Sequence, residues 1–148
     1  MRMVFSIYHP KIELDRRNSM ENGCEILVVD DEESITDVLK KELSSDGYQV
    51  QTAHDGQEAI DAVKSTPIAL VVLDLQMPKV NGFDVLRYVK ENFPGVKVIV
   101  LTGYADLGNA IRCKRLGADQ FLEKPFNLSE FLTEMHRLIP LNGKHPIN

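Results

Sequence analysis

The sequence lacks the features that mark secreted, membrane-spanning or nucleic-acid-binding chains. It has two cysteines, Cys24 and Cys113, with no Cys-x-x-Cys pair and no disulfide framework. Reduced thiols of that kind suit a cytosolic chain, so the expected localisation is cytoplasmic. No run approaches the roughly 20 apolar residues that a membrane helix needs. The stretch from Val4 to Tyr8 is too short for a signal-peptide core and runs into His9 and Pro10. Basic residues are outnumbered, 17 against 22 acidic, for a net charge of −5. The only basic cluster, Arg112 to Arg115, reads as a solvated helix face, so no direct nucleic-acid binding is expected. Neither Gly-x-x-x-x-Gly-Lys nor Gly-x-Gly-x-x-Gly occurs, which removes the usual nucleotide loops. His9, His54, His136 and His145 show no metal-ligand spacing, and Tyr48 and Tyr88 read as packing or surface aromatics.

What is present is an ordinary globular composition, 43% hydrophobic and 26% charged. The 148 residues suffice for one domain burying roughly 68–70% of its unfolded surface. Residues 1–23 lack clear periodicity and read as a loosely ordered extension, with Met20 a plausible alternative start. From there to residue 140 strands and helices alternate five times, and 141–148 read as a tail. The expected strands are 25–29, 49–53, 68–73, 97–101 and 120–123, mostly short apolar runs of the kind buried on both faces. The first helix places Ile35, Val38, Leu39 and Leu43 on one stripe and stops at Asp46-Gly47. The last is the clearest, with Leu128, Phe131, Leu132, Met135, Leu138 and Ile139 at helical spacing, Asn127 and Glu130 as a capping pair, and Pro140 as a stop. The middle helices carry Ala59, Ala62 and Val63; Leu86, Val89 and Phe93; and Leu107, Ala110 and Ile111. Such alternation implies right-handed crossovers and a parallel sheet with helices on both faces, without fixing the strand order.

Four of the apolar runs end in chemically loaded residues: Asp30-Asp31, Asp74, Thr102 and Lys124-Pro125. In an open parallel sheet ligands bind outside the carboxyl ends of the strands, so these residues should share one pocket. Adjacent carboxylates raise each other's pKa, a conflict that a hard cation removes. Mg²⁺ takes oxygen ligands, typically one or two carboxylates plus waters and substrate oxygens. Asp74 is the candidate nucleophile, because a carboxylate that attacks phosphorus gives an aspartyl-phosphate. Lys124 would supply a point charge to the phosphoryl oxygens and Thr102 a hydroxyl. The stretch from Leu75 to Pro78, with Gly82 beyond it, suggests a tight loop presenting a backbone carbonyl to the metal.

With Asp30-Asp31, the run Val72 to Pro78, Gly82, the run Leu101 to Asp106, and Lys124-Pro125-Phe126, the chain resembles response-regulator receiver domains. These are the phosphoacceptor modules of two-component signalling. The resemblance runs from about Cys24 to Ile139. It implies a flavodoxin-like α/β fold, five parallel strands in the order 2-1-3-4-5, which sets the strands ending at Asp30 and Asp74 side by side. It further implies Asp74 as phosphoacceptor, Asp31 with Asp30 as metal-binding acids, and Gln76 as the residue lending a backbone carbonyl. Thr102 and Lys124 become phosphoryl contacts, Phe121 the switch aromatic, and Gln76 and Tyr104 the positions that tune dephosphorylation. A cis peptide is implied before Pro125. The implied cofactor is Mg²⁺ or Mn²⁺. The implied partners are a sensor histidine kinase or phosphotransfer protein, and a downstream protein target or second copy of the chain on the 106–139 face.

Two other readings stay open. A small phosphohydrolase of the haloacid-dehalogenase type would need a second Asp two positions after its nucleophile. Gln76 stands there after Asp74, and Glu32 stands there after Asp30. Alternatively, the chain is the receiver part of a longer regulator carrying an output domain.

Overall fold

The computed structural model describes residues 25–141; the expected extension, Cys24, the Met20 start and residues 142–148 lie outside them. The elements run β1 (Glu25–Val29), α1 (Glu33–Ser45), β2 (Gln49–Ala53), α2 (Gly56–Ser65), β3 (Leu70–Leu73), α3 (Gly82–Asn92), β4 (Lys97–Thr102), α4 (Leu107–Arg115), β5 (Gln120–Glu123) and α5 (Leu128–Leu138). The five strands form one parallel sheet in the order β2-β1-β3-β4-β5. The strand order that periodicity left open is the one the family resemblance implies.

Alternating side chains send β1, β3 and β4 into two cores. Leu27, Val29, Val71, Leu73, Val98 and Val100 pack with α2, α3 and Cys113 of α4. Ile26, Val28, Leu70, Val72, Ile99 and Leu101 pack with Leu39 and Leu43 of α1 and Phe131 and Met135 of α5. Helix ends follow local chemistry. The side chains of Asp55, Asn81, Asp106 and Asn127 each accept a backbone N–H in the first turn of the helix they precede. Gly47 ends the α1 turn at φ 110°, a left-handed conformation that glycine adopts without a Cβ clash.

The structure corrects several details. β3 starts at Leu70: Ile68 and Ala69 are buried, but strand pairing begins at Ile26 opposite Leu70. β4 reaches one residue further than expected and includes Thr102. Val38 is exposed, and Thr36 takes its place on the buried stripe of α1, its hydroxyl bonded to the Glu33 carbonyl. Leu107 and Ile111 are also exposed, because α4 covers the sheet near its edge and buries only Cys113. β5, the edge strand, is only half-buried. Leu141, assigned to the tail, is buried in the core beside α1 and α5. Arg112 is not simply solvated: its guanidinium lies 3.9 Å from the centre of the Phe83 ring and ties α4 to the start of α3. Tyr48 is a core residue whose hydroxyl donates to the Ile139 carbonyl at 2.7 Å, and His136 of α5 meets Asp46 at the end of α1. Among the described residues no helix is long and apolar enough to cross a membrane.

Candidate functional site

The sheet brings the strand-end residues together. Asp74 follows β3 and its N–H donates to Val29 O at 3.0 Å, so it sits beside the end of β1. On the other side, Asp30 N–H donates to Ala53 O of β2 at 3.0 Å. Lys124 follows β5 and donates its N–H to Thr102 O of β4, also at 3.0 Å. The ends of all five strands thus lie along one rim.

The two buried carboxylates are held alike. Asp30 Oδ1 accepts the Glu32 N–H at 2.9 Å, and Asp74 Oδ1 accepts the Gln76 N–H at 3.1 Å. Their other oxygens face Lys124: Nζ lies 2.7 Å from Asp30 Oδ2 and 3.2 Å from Asp74 Oδ2. A third carboxylate joins them, with Glu32 Oε1 at 2.9 Å. Burial pushes the Asp30 carboxyl above its usual pKa, against the hydrogen bonds from Lys124 and the Glu32 N–H. Burial alone would lower the Lys124 pKa. Its hydrogen bonds to Asp30 and Glu32, and the charges of Asp30 and Asp74, hold it above the usual lysine value instead. Lys124 is therefore a fixed cation at neutral pH.

Asp31 is exposed, yet carboxylate oxygens of Asp30, Asp31 and Asp74 all lie within 4.8 Å of one another. Among the described residues Lys124 bridges three of these acids, Asp30, Glu32 and Asp74, and Asp31 adds a fourth to the cluster, which leaves surplus negative charge on hard oxygen donors. That donor set fits a small divalent cation. Asp31, Glu32, Asp74, Gln76, Gly103 and Lys124 line an open cavity of about 360 Å³.

The loop after Asp74 is as tight as expected. A Cβ on Gly82 would lie 2.5 Å from Leu75 Cα and 2.8 Å from the Asp74 carbonyl oxygen, so only glycine lets the chain close over this turn. Lys79 adopts φ 71°, and the Lys124–Pro125 peptide is cis. Gln76 and Tyr104 stand together at the mouth, lining a neighbouring cavity of about 400 Å³ that also includes Asp31 and Phe83.

Thr102 is fully buried and its Oγ1 accepts the Tyr104 N–H at 3.1 Å. Phe121 pairs with Val100, two residues before Thr102 on the same face of β4, and packs against the core of α2, α3 and α4. A cavity of about 290 Å³ lies beside its ring, lined also by Ala110 and Lys114. Every site residue expected from the sequence lies on this rim or one layer beneath it. Two contacts were not expected: Glu32 with Lys124, and Arg112 with Phe83. The acid after an acidic pair hints at the first; nothing local announces the second.

The response-regulator receiver-domain family matches residues 26–136. The response regulator MprA of Mycobacterium avium is 38% identical over 114 residues, covering 77% of this chain and 50% of that protein. MprA of Mycobacterium tuberculosis gives the same identity and coverage. The chain thus spans about half the length of the curated relatives it matches. Among solved structures, a CheY-like receiver domain protein of Methanospirillum hungatei superposes with a TM-score of 0.77 at 30% identity, covering 82% of this chain and 96% of that one. The non-phosphorylated HemR receiver domain of Leptospira biflexa gives 0.75 at 36% identity, with 80% and 95% covered. With strand order, rim chemistry and relatives in agreement, this chain belongs to the response-regulator receiver domains, a family of signalling domains.

Proposed function

We propose that Asp74 is the phosphoacceptor of this receiver, taking its phosphoryl group from a phosphohistidine of a sensor histidine kinase or phosphotransfer protein. The observation that carries this is the convergence on Asp74: its carboxylate lies 3.2 Å from the Lys124 ammonium and shares a 4.8 Å cluster with Asp30 and Asp31. A carboxylate oxygen of Asp74 attacks phosphorus while the P–N bond breaks, and the electron pair leaves on the imidazole nitrogen. Lys124 neutralises the charge on the transferred oxygens and holds Asp74 in line. The Thr102 hydroxyl supplies a further hydrogen bond. Asp31, Asp74 and the Gln76 carbonyl, with Asp30 behind them, would hold Mg²⁺ or Mn²⁺, which when bound neutralises charge on the phosphoryl oxygens.

The output is a change of surface. Movement of Thr102 toward the phosphoryl oxygens frees space on the face it shares with Phe121, and the cavity beside that ring gives it room to turn. The 106–139 face, which carries the exposed Leu107, Ile111 and Arg115, then engages a protein target or a second copy of the chain. Gln76 and Tyr104 at the mouth govern water access and hence the lifetime of the phosphoryl group. This setting is the cytoplasm. A second reading, in which the receiver controls a further domain of a longer polypeptide, is favoured by the length of the curated relatives.

Acetyl phosphate with Mg²⁺ should add one acid-labile phosphoryl group, read by intact-protein mass spectrometry, and Asp74→Asn should abolish it. Equal labelling of both proteins removes Asp74 from the mechanism.

A further inference from the structure

We propose that Glu32 is a positioning residue that gates Lys124, occupying the ammonium proton that the phosphoryl group must take. The inference rests on the phosphoacceptor reading of Asp74. An ammonium has three N–H donors, and here it meets three carboxylates: Asp30 at 2.7 Å, Glu32 at 2.9 Å and Asp74 at 3.2 Å. The three acceptors differ in what lies behind them. Asp30 and Asp74 are buried, whereas the Glu32 side chain is 59% exposed. Glu32 also lines the open cavity beside Asp74, and Asp30 does not. Phosphoryl oxygens arriving through that cavity approach Lys124 from the side where Glu32 holds it. Glu32 is the partner that yields at least cost, because its carboxylate passes straight into water.

The local backbone supports the assignment. Glu32 occupies the N-cap position of α1 but makes no capping bond with its side chain, although that position favours Ser, Thr, Asp or Asn. The side chain reaches 92 residues along the sequence to Lys124 instead. A helix start that spends its cap position on a remote lysine is placed to act on that lysine. Replacing the side chain also removes no cap.

The experiment is a titration with beryllofluoride, a phosphoryl mimic, at saturating Mg²⁺, followed by amide shifts in the wild type, Glu32→Gln, Glu32→Ala and Glu33→Ala. An exposed charge pair is worth a few-fold in affinity, so Glu32→Ala should bind about two- to fivefold tighter. Glu32→Gln, which keeps an acceptor but loses the charge, should fall between Glu32→Ala and wild type. Glu33→Ala, an exposed acid beside the site, should match wild type. Unchanged or weaker binding by Glu32→Ala overturns the gate, and so does an equal gain in Glu33→Ala, which would mean that general repulsion is responsible. If wild type binds no beryllofluoride, the phosphoacceptor reading falls and takes the gate with it. If wild type binds and the variants gain nothing, only the gate is lost.

Discussion

Replacing Lys124 with methionine keeps most of the side-chain stem and removes the ammonium that bridges Asp30, Glu32 and Asp74. Taking one partner from a buried ion pair typically costs about 3–5 kcal/mol, because the remaining charge is stranded. Here the electrostatic part has a ceiling, since Asp30 can escape its charge by binding a proton. From an ordinary carboxyl pKa of 3.8, that escape costs about 4 kcal/mol at pH 7 and under about 2 kcal/mol at pH 5. The sign follows from linkage. A carboxyl whose folded-state pKa lies above its unfolded value makes the folded state bind more protons. Stability is then retained at low pH and lost as pH rises through the folded pKa. Asp30 is already raised in this direction, and loss of its Lys124 hydrogen bond raises it further. We expect Lys124→Met to lose about 3 kcal/mol at pH 7, a fall in Tm of roughly 10 °C for a domain of this size. The deficit should fall below about 2 kcal/mol at pH 5. Paired thermal melts of variant and wild type in metal-free buffer at the two pH values measure it. An equal deficit at both would show that the stem's packing, not stranded charge, sets the cost.

Two further predictions concern the metal and the switch. Mg²⁺ should raise the Tm of wild type but not of Asp31→Ala, while the metal-free Asp31→Ala protein should be as stable as wild type or more so, having one fewer like charge beside Asp30 and Asp74; an undiminished Mg²⁺ response in that variant rules Asp31 out as a ligand. Amide shifts on adding beryllofluoride with Mg²⁺ should extend from the Asp74 rim through Phe121 to the 106–139 face, and changes confined to the rim would make the protein a phosphate sink without an output.

Much of this protein is legible along the chain, because its determinants are local. Apolar runs of strand length mark β1, β3 and β4, and Asp30 and Asp74 stand just past the first two and Thr102 at the end of the third, so the three fall on one rim once the strands are known to be parallel. The cap at Asn127 and the stripe through Phe131 and Met135 define α5 in the same way. Strand order came from family resemblance and not from periodicity, since a crossover helix of given length reaches either neighbour. What only the tertiary structure decided depends on which layer covers which. Leu107 and Ile111 have the spacing of a buried stripe but lie on α4 near the sheet's edge, where no described element covers them. Val38 turns outward and Thr36 inward because the sheet, not the pattern, sets the rotation of α1. Glu32 and Lys124 meet across 92 residues, with only an acid after the Asp30-Asp31 pair to hint at it, and Arg112 finds Phe83 across a helix interface with nothing local to announce it. Backbone propensity and hydrophobic period act over a few residues and can be read in order. Electrostatic and ring contacts depend on distance in space, and that distance exists only after the sheet has closed.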